Sequence, residues 1–127
     1  MMKDDSPDSV PLVRVILYVR NMEKSAEFYE RHFGFQHVEV GVDDLIYLES
    51  PANGIGLMLL QAAKSVKLGQ AGVKLVFQVE DIESFKARSA KAGLKFGTTH
   101  EGSHYSFANA KDPSGNSVQI SNRRFRR

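Results

Sequence analysis

The hydrophobic and polar positions of one strand-like segment recur about 60 residues later in the chain. Residues 13–23 align with residues 73–83, with apolar and polar side chains in the same places and an Asx residue near the end of each copy. After a helix-like stretch in each copy, Gly34-Phe35 corresponds to Gly93-Leu94. A repeat of this length indicates two copies of one supersecondary unit. Two such units can face each other and enclose a cleft, so function is expected between them.

The start of each unit has the pattern of a strand followed by a helix. Residues 13–19 alternate strictly, which predicts a strand whose one face is aliphatic. The opposite face carries Arg14, Ile16, Tyr18 and Arg20. Asn21 is a suitable N-cap, and apolar residues then recur at helical spacing until Gly34, where the helix should end.

The remaining segments complete the same order in both units. In the first unit the pattern predicts strands at 36–40, 45–49 and 55–61, followed by a linker at 62–72. In the second unit it predicts a strand at 73–79, an N-cap at Asp81, a helix at 82–92, and strands at 95–99, 105–110 and 117–121. Each unit is therefore strand–helix–strand–strand–strand. One face of each sheet should lie under a helix and the other should be half polar, as a ligand-lined concavity or a solvated face would be.

Size and composition are those of a single globular domain. The chain has 127 residues, of which 42% are hydrophobic and 25% charged. Two units of this size are each marginal alone, so they should share a core. No apolar stretch is long enough to span a bilayer, and residues 1–11 do not have the pattern of a secretory signal. With no cysteine in the chain, we expect a cytoplasmic protein without disulfides or thiolate chemistry.

The formal net charge of +2 comes from the C-terminal end. Four arginines lie at Arg123, Arg124, Arg126 and Arg127. A basic tail can contact nucleic acid, but no basic stripe continues into the domain. We interpret residues 1–11 and 123–127 as flexible tails and expect neither nucleic acid nor a membrane as partner.

Several of these elements together resemble the vicinal-oxygen-chelate superfamily, which includes glyoxalase I, fosfomycin-resistance proteins, extradiol dioxygenases and bleomycin-binding proteins. The resemblance rests on Asn21, on Phe28-Tyr29 before Phe33-Gly34-Phe35, and on the Lys-Asp-Pro-Ser-Gly-Asn turn at 111–116. It covers residues 12–122, as modules 12–61 and 73–122 joined by the linker. It implies an α+β fold in which two βαβββ modules form a cupped, barrel-like mixed sheet with the helices outside. It also implies a homodimer, in some members with exchanged modules.

Enzymes of this superfamily hold a divalent metal through His, Glu or Gln on the first and last strands of each module. The resemblance places Arg14 and Lys74 on the first strands, and Met58 (or Gly56) and Gln119 on the last. Arginine and protonated lysine have no lone pair to offer, and a methionine sulfur is a poor ligand for a hard ion. Since a catalytic zinc needs about three protein ligands, we expect no metal and no cofactor at these positions.

The histidines leave a second possibility open for a metal. His32 lies near the end of the first helix and His37 at the start of a strand. His100 and His104 flank a glycine-containing segment that has the pattern of a hairpin tip, so their geometry is not fixed by the spacing. This pair is interpreted either as displaced metal ligands or as loop residues that contact ligand or solvent.

The same substitutions predict a ligand site of a different kind. Arg14 and Lys74 would place two cations where the metal is normally held, suited to an anionic or oxygen-rich small molecule. The predicted ligand-binding residues are Arg14, Tyr18, Met58, Lys74, Gln78, Tyr105, Phe107 and Gln119. The alternatives are that the two cations pair with Glu39, Glu49 or Glu80, and that Tyr105 and Phe107 pack in the core.

Three functional hypotheses remain open from the sequence. The first is a small-molecule-binding protein of the glyoxalase/bleomycin-resistance type that lacks the usual metal ligands. The second is a metal-dependent lyase, isomerase or dioxygenase of the same superfamily with displaced ligands. The third is a structural or regulatory dimer whose cup has no ligand.

Overall fold

The computed structural model describes residues 11–41 and 43–123. The two predicted tails therefore lie almost wholly outside the described residues, apart from Pro11 and Arg123. The elements of the first module are β1 (Arg14–Val19), α1 (Met22–Phe33), β2 (Gln36–Val38), β3 (Leu45–Glu49) and β4 (Gly56–Gln61), with a short 3-10 turn at Pro51–Asn53. Those of the second are β5 (Lys74–Gln78), α2 (Ile82–Lys91), β6 (His100–Glu101), β7 (Ser106–Lys111) and β8 (Ser117–Ser121).

The two modules have the same topology, so the α+β fold of paired βαβββ units is confirmed. The strand order is β1-β4-β3-β2 in the first sheet and β5-β8-β7-β6 in the second. In each sheet the first strand runs parallel to the last, and the other neighbours are antiparallel. The parallel pair is possible because a helix and two antiparallel strands lie between the first and the last strand of each module. Both modules therefore place their first and last strands side by side.

Both helices begin at the residues that the sequence indicates. The side chain of Asn21 accepts a hydrogen bond from the backbone N–H of Lys24 at 2.9 Å, and that of Asp81 accepts one from Ser84 at 3.0 Å. These bonds satisfy N–H groups that have no partner within the first helical turn. Helix α1 ends at Gly34, whose φ of 78° is in the left-handed region that glycine adopts without strain.

The predicted strand at 95–99 is wrong, because the first edge strand after α2 is β6 (His100–Glu101). Leu94 and Phe96 are buried, and the hydroxyl of Thr99 is hydrogen bonded to side chains of α2. These contacts hold the segment along the helix, where it cannot continue the ladder beside β7. Its one backbone bond to that strand runs from Gly97 N–H to Asn109 O, at 2.9 Å.

A common hydrophobic core joins the two modules, as their small size requires. Its members include Tyr29, Leu48 and Leu59 of the first module and Val118 and Ile120 of the second, all fully buried. The Phe28-Tyr29 and Phe33-Gly34-Phe35 motifs contribute to this core, with Phe28, Tyr29 and Phe35 buried and Phe33 packed against them. The ring of Phe33 stacks on that of Phe77 at 3.9 Å between centroids, across the boundary between the modules.

A buried hydrogen bond also links the modules. The hydroxyl of Tyr29 in α1 donates to Asp112 Oδ2 at 2.8 Å. Asp112 lies in the turn between β7 and β8, where it also accepts from the backbone N–H groups of Ser114 and Asn116 and from the Asn116 side chain. The carboxylate thus organises the turn of one module and holds it against the helix of the other.

The segment between the modules is fixed by one arginine. The guanidinium of Arg20 donates to Ala63 O at 2.9 Å and to Val66 O at 2.6 Å, and its backbone N–H donates to Ser114 Oγ at 2.9 Å. These bonds hold the linker beside the turn of the second module. Of the helices in the described part of the chain, none combines the length and apolarity that crossing a membrane requires.

Candidate functional site

Each sheet has one face under its helix and one face turned away from it, which we call the open face. On β1, Val15, Leu17 and Val19 pack into the core, while Arg14, Ile16 and Tyr18 are exposed on the open face. On β5, Leu75 and Phe77 pack against the core, while Lys74, Val76 and Gln78 are exposed in the same way. Strict alternation along a strand produces this division.

The strand register shows which residues of the two open faces are equivalent. In the first sheet Met58 lies opposite Ile16 on one side and opposite Tyr47 on the other. In the second sheet Gln119 lies opposite Val76 and opposite Asn109. Met58 therefore corresponds to Gln119, and Tyr47 to Asn109. Arg14 and Lys74 correspond as well, because each lies two residues before Ile16 or Val76 at the start of its strand.

The open face of the first sheet is largely apolar and carries one cation. The guanidinium of Arg14 lies 5.2 Å from the centre of the Tyr47 ring, in a cation–π contact. The ring crosses the strand over Gly56, where an added Cβ would come within 2.6 Å of the Tyr47 hydroxyl. Glycine at this position is therefore what allows Tyr47 to reach Arg14, and Met58 lies beside them.

The open face of the second sheet is polar. Lys74 Nζ donates to Asn109 Oδ1 at 3.2 Å, and Gln119 Nε2 donates to the same oxygen at 2.9 Å. We call Lys74, Asn109 and Gln119 the amide triad. It occupies the part of the second module that corresponds to Arg14, Tyr47 and Met58 in the first.

A row of rings lies next to the amide triad on the same face. Phe107 lies two residues before Asn109 on β7, so the two side chains are on the same face of the sheet. Its ring stacks on His100 at 5.2 Å and on Tyr105 at 5.8 Å. The guanidinium of Arg123 lies 4.5 Å from the centre of the Tyr105 ring. These contacts arrange the rings in one series across the end of the sheet.

The predicted ligand-binding residues thus fall into two groups, one on each open face. Arg14, Tyr18 and Met58 lie on the first sheet, and Lys74, Gln78, Tyr105, Phe107 and Gln119 lie on or beside the second. The hydrogen bonds and ring contacts seen among the described residues connect members within each group and do not connect the groups. Arg14 and Lys74 contact Tyr47 and Asn109, and no pairing of either with Glu39 or Glu49 is seen in the described ranges.

Two cavities lie along the free edges of the first strands. A cleft of about 1050 Å³ follows β5, between α1, the turn at 51–55 and α2, and includes Lys74 and Gln78. A smaller cavity of about 280 Å³ lies between β1 and the linker and includes Tyr18. The other five predicted residues, Arg14, Met58, Tyr105, Phe107 and Gln119, line neither of them. The two open faces are therefore accessible surfaces of this single chain and do not form a closed chamber within it.

The positions that a superfamily metal would use do not fit a divalent ion. Arg14 and Lys74 offer only N–H donors, and the side chain of Met58 offers a thioether. Gln119 has a free amide oxygen, since its nitrogen is the atom bonded to Asn109. Within residues 11–41 and 43–123, no three side chains of His, Asp or Glu are grouped so that they could hold a metal. His100 stacks on Phe107, and His104 lies in the following turn with a φ of 74°.

Two ionisable groups near the core have shifted pKa values. The pKa of the Tyr29 phenol is raised, first by burial and then by the charge and the hydrogen bond of Asp112. The pKa of His32 is lowered, first by burial and then by the neighbouring Arg31 guanidinium. Both groups lie in α1. Tyr29 is fully buried in the core, and His32 lies in the wall of the larger cleft.

Sequence comparison identifies the family. The model of the glyoxalase/bleomycin resistance protein/dioxygenase superfamily matches residues 12–120. The chain belongs to this superfamily. A trivalent organoarsenical cleaving enzyme from Bacillus sp. (strain MD1) is 35% identical over 79 residues, which cover 61% of this chain and 48% of the relative. The matched segment thus spans about half the length of that curated relative.

Solved structures of other superfamily members have the same fold. TnmS3, an antibiotic-binding protein from Streptomyces sp. CB03234, superposes with a TM-score of 0.75 at 18% identity, covering 91% of this chain and 97% of TnmS3. A lactoylglutathione lyase from Agrobacterium tumefaciens gives a TM-score of 0.68 at 19% identity, covering 91% and 95%. At such identities the likeness establishes the fold, and the fold is shared by binding proteins and enzymes.

Asn109 is the residue of this site that sequence reasoning missed. It lies on the same face of β7 as Phe107, so alternation places it correctly once the strand is known. Its role comes from the pairing of β7 with β8, which brings Gln119 directly opposite. The contact of Tyr47 with Arg14 could not be predicted from local pattern either, because it depends on the space above Gly56.

Proposed function

We propose that this protein binds a small anionic or oxygen-rich molecule between its open faces, without a metal at the usual superfamily positions. The observation that carries the proposal is the chemistry of the equivalent positions Arg14, Lys74, Met58 and Gln119. Two of the four are cations with no lone pair, and both lie on open faces. Charge-assisted hydrogen bonds from such groups suit carboxylate, phosphate or enolate oxygens.

The remaining predicted residues supply the rest of the proposed site. Tyr18 and Met58 give the first face an aromatic and an aliphatic surface, and Gln78 adds an amide on the second. Tyr105 and Phe107 border that second face with rings already held in a stack. The combination suits a ligand with an apolar, partly aromatic body and polar oxygens. Binding of antibiotics by TnmS3, which has the same fold, supports a binding role for such a cup.

We also propose that the functional form is a homodimer. We call β1 and β5, the first strands of the two modules, the lead strands. Exposed apolar side chains on and beside them include Val13, Ile16, Tyr18, Val73 and Val76. A surface with several exposed large apolar side chains is suited to an interface with another protein chain. A second copy whose open faces meet these would shield them from water and complete a hollow lined by both cations.

A metal-dependent lyase, isomerase or dioxygenase with displaced ligands is the alternative. It is favoured by the sequence match to an organoarsenical cleaving enzyme and by the fold shared with a lactoylglutathione lyase. In that case the donors would have to come from His100, His104 or a second chain. The alternative predicts a bound metal in stoichiometric amount.

Elemental analysis of freshly purified protein, paired with a thermal-shift screen, separates these functions. The proposal predicts substoichiometric metal, and a rise in melting temperature with some anionic aromatic compounds, because a ligand of the folded state stabilises it. Stoichiometric zinc, nickel, manganese or iron would favour the enzyme. If no compound stabilises the metal-free protein, the result would favour a structural or regulatory dimer whose cup has no ligand.

Arg14→Gln tests the role of the first cation in the same assay. The variant should bind the stabilising compound more weakly while its melting temperature without ligand stays near that of the wild type. Lys24→Gln is the control, because Lys24 is an exposed cation in the first turn of α1 that lines neither cavity. An equal loss of stability and binding in Arg14→Gln would instead indicate a structural role for Arg14.

A further inference from the structure

The hydrogen bonds of the amide triad fix which of its atoms remain available. Lys74 has no acceptor, so the atom of Asn109 that faces its ammonium must be the oxygen. Gln119 also points an N–H at this oxygen, which therefore accepts from two donors at once. The amide nitrogen of Asn109 is consequently directed away from these bonds. What the triad still offers is the Asn109 N–H groups, the further N–H groups of Lys74 and Gln119, and one free acceptor, Gln119 Oε1.

This inventory makes the triad a donor-rich and positively charged centre. Its free N–H groups outnumber its single free acceptor, and Lys74 gives it a positive charge. The oxygens of an anion can accept hydrogen bonds from these donors. A neutral amide would leave some of the donors unpaired, and a cation would be repelled by the charge of Lys74. The triad is therefore suited to a carboxylate.

Apolar groups flank the triad on both sides. Val76, which is 58% exposed, lies opposite Gln119 on β5. Phe107 precedes Asn109 by two residues on β7 and is held in the row of rings with His100. A carboxylate bound at the triad would thus place whatever it is attached to against aliphatic and aromatic surface. An aromatic carboxylate has this combination of a charged end and a flat apolar body.

The first sheet has no equivalent centre. Tyr47 and Met58 replace Asn109 and Gln119, and the one cation, Arg14, already lies against the Tyr47 ring. The polarity of the two open faces is therefore unequal. A ligand with its charge at one end fits this difference better than a symmetric anion.

We propose that Lys74, Asn109 and Gln119 form the carboxylate-binding subsite for an aromatic acid, with Asn109 as the residue that orients the other two. The inference rests on the proposed function, since it assigns a ligand class and an orientation within the same cup.

Calorimetric titration of the intact protein with 2-naphthoate and with the uncharged 2-naphthamide tests this assignment. The wild type should bind the acid at least about tenfold more tightly than the amide. This ratio corresponds to a difference of about 1.4 kcal/mol in the free energy of binding. Lys74→Met should remove most of that preference. Lys111→Met is the matched control, because Lys111 lies on the same face but donates to Ser117 Oγ at 2.9 Å, outside the triad.

Asn109→Asp provides a second variant of nearly unchanged shape. It replaces the free amide N–H groups by a carboxylate oxygen, so naphthoate binding should fall while unfolding by heat stays close to that of the wild type. Equal binding of acid and amide by the wild type, or equal effects of Lys74→Met and Lys111→Met, would refute the subsite and leave the proposed binding function standing. Failure of both probes to bind would also refute it, whereas the proposed function is decided by the metal analysis and the broader screen.

Discussion

At the scale of single residues, His32 shows how burial overrides a favourable position in a helix. It lies in the last turn of α1, where the helix dipole favours a cation. Its Nδ1 is nevertheless buried without a partner among the described residues, and its ring lies 5.1 Å from that of Phe28. Burial and the Arg31 charge together lower its pKa, so the neutral form is the one that the fold accommodates.

This residue should make the protein less stable in mild acid. A histidine whose pKa is lowered on folding binds its proton more readily in the unfolded chain. The free energy of unfolding is therefore unaffected well above pH 6.5, falls as the pH drops through that ordinary value, and levels off below the folded pKa. His32→Gln should lose less stability between pH 7.5 and pH 5.5 than the wild type, as measured by urea unfolding. His37→Gln, which removes an exposed imidazole, is the control, and a pH dependence of His32→Gln equal to that of the wild type would contradict the account.

The residue scale is also where prediction from sequence reached its limit. Alternation along the lead strands placed Arg14, Tyr18, Lys74 and Gln78 on the open faces, because side-chain direction follows directly from strand periodicity. It did not show that Lys74 lies across its own sheet toward Asn109. That contact depends on the register of three strands, which no local pattern specifies.

At the scale of elements, the local signals were strongest where a side chain bonds to its own backbone segment. The caps Asn21 and Asp81 predicted where both helices begin, and Gly34 predicted where α1 ends. The strand expected at 95–99 failed for the opposite reason, since side-chain bonds of Thr99 to α2 compete with pairing at the sheet edge. A tertiary contact of this kind has no signature in the alternation of residues.

The bond between α1 and the turn at 112–116 is the element contact with the clearest energetic consequence. Tyr29→Phe removes the hydroxyl that donates to the buried Asp112 carboxylate and retains the ring. Since hydrogen bonds to charged groups contribute about 1.5–3 kcal/mol, the variant should lose roughly that much stability in urea unfolding. Tyr29→Ala also removes a fully buried ring and should cost more, about 3–5 kcal/mol.

Tyr18→Phe is the matched control for this pair, because Tyr18 is exposed on the open face of β1. Its free energy of unfolding should stay within about 0.5 kcal/mol of the wild type. If Tyr29→Phe were as stable as Tyr18→Phe, the hydrogen bond would not contribute to holding the modules together.

At the scale of the whole molecule, the internal repeat predicted the architecture because each module needs the other to bury its core. Residues from both modules form one hydrophobic cluster, with Phe33 stacked on Phe77 at their boundary. The repeat did not predict how the open faces meet. They carry two separate sets of contacts in this chain, and enclosing a hollow between them requires a further surface.

The proposed homodimer supplies that surface, and its existence is open to a direct test. Ile16 and Val76 occupy equivalent positions on the two lead strands and are 49% and 58% exposed. If their faces are buried against a second copy, a glutamate at either position places a charge in an apolar interface, which is costly without a partner. Ile16→Glu and Val76→Glu should therefore sediment as monomers in analytical ultracentrifugation, while the wild type sediments as a dimer. Val40→Glu is the control, because Val40 is also exposed, at 43%, but follows β2 at the far edge of the first sheet. A wild type that sediments as a monomer, or a Val40→Glu variant that dissociates as readily as the other two, would show that the lead strands do not form the interface.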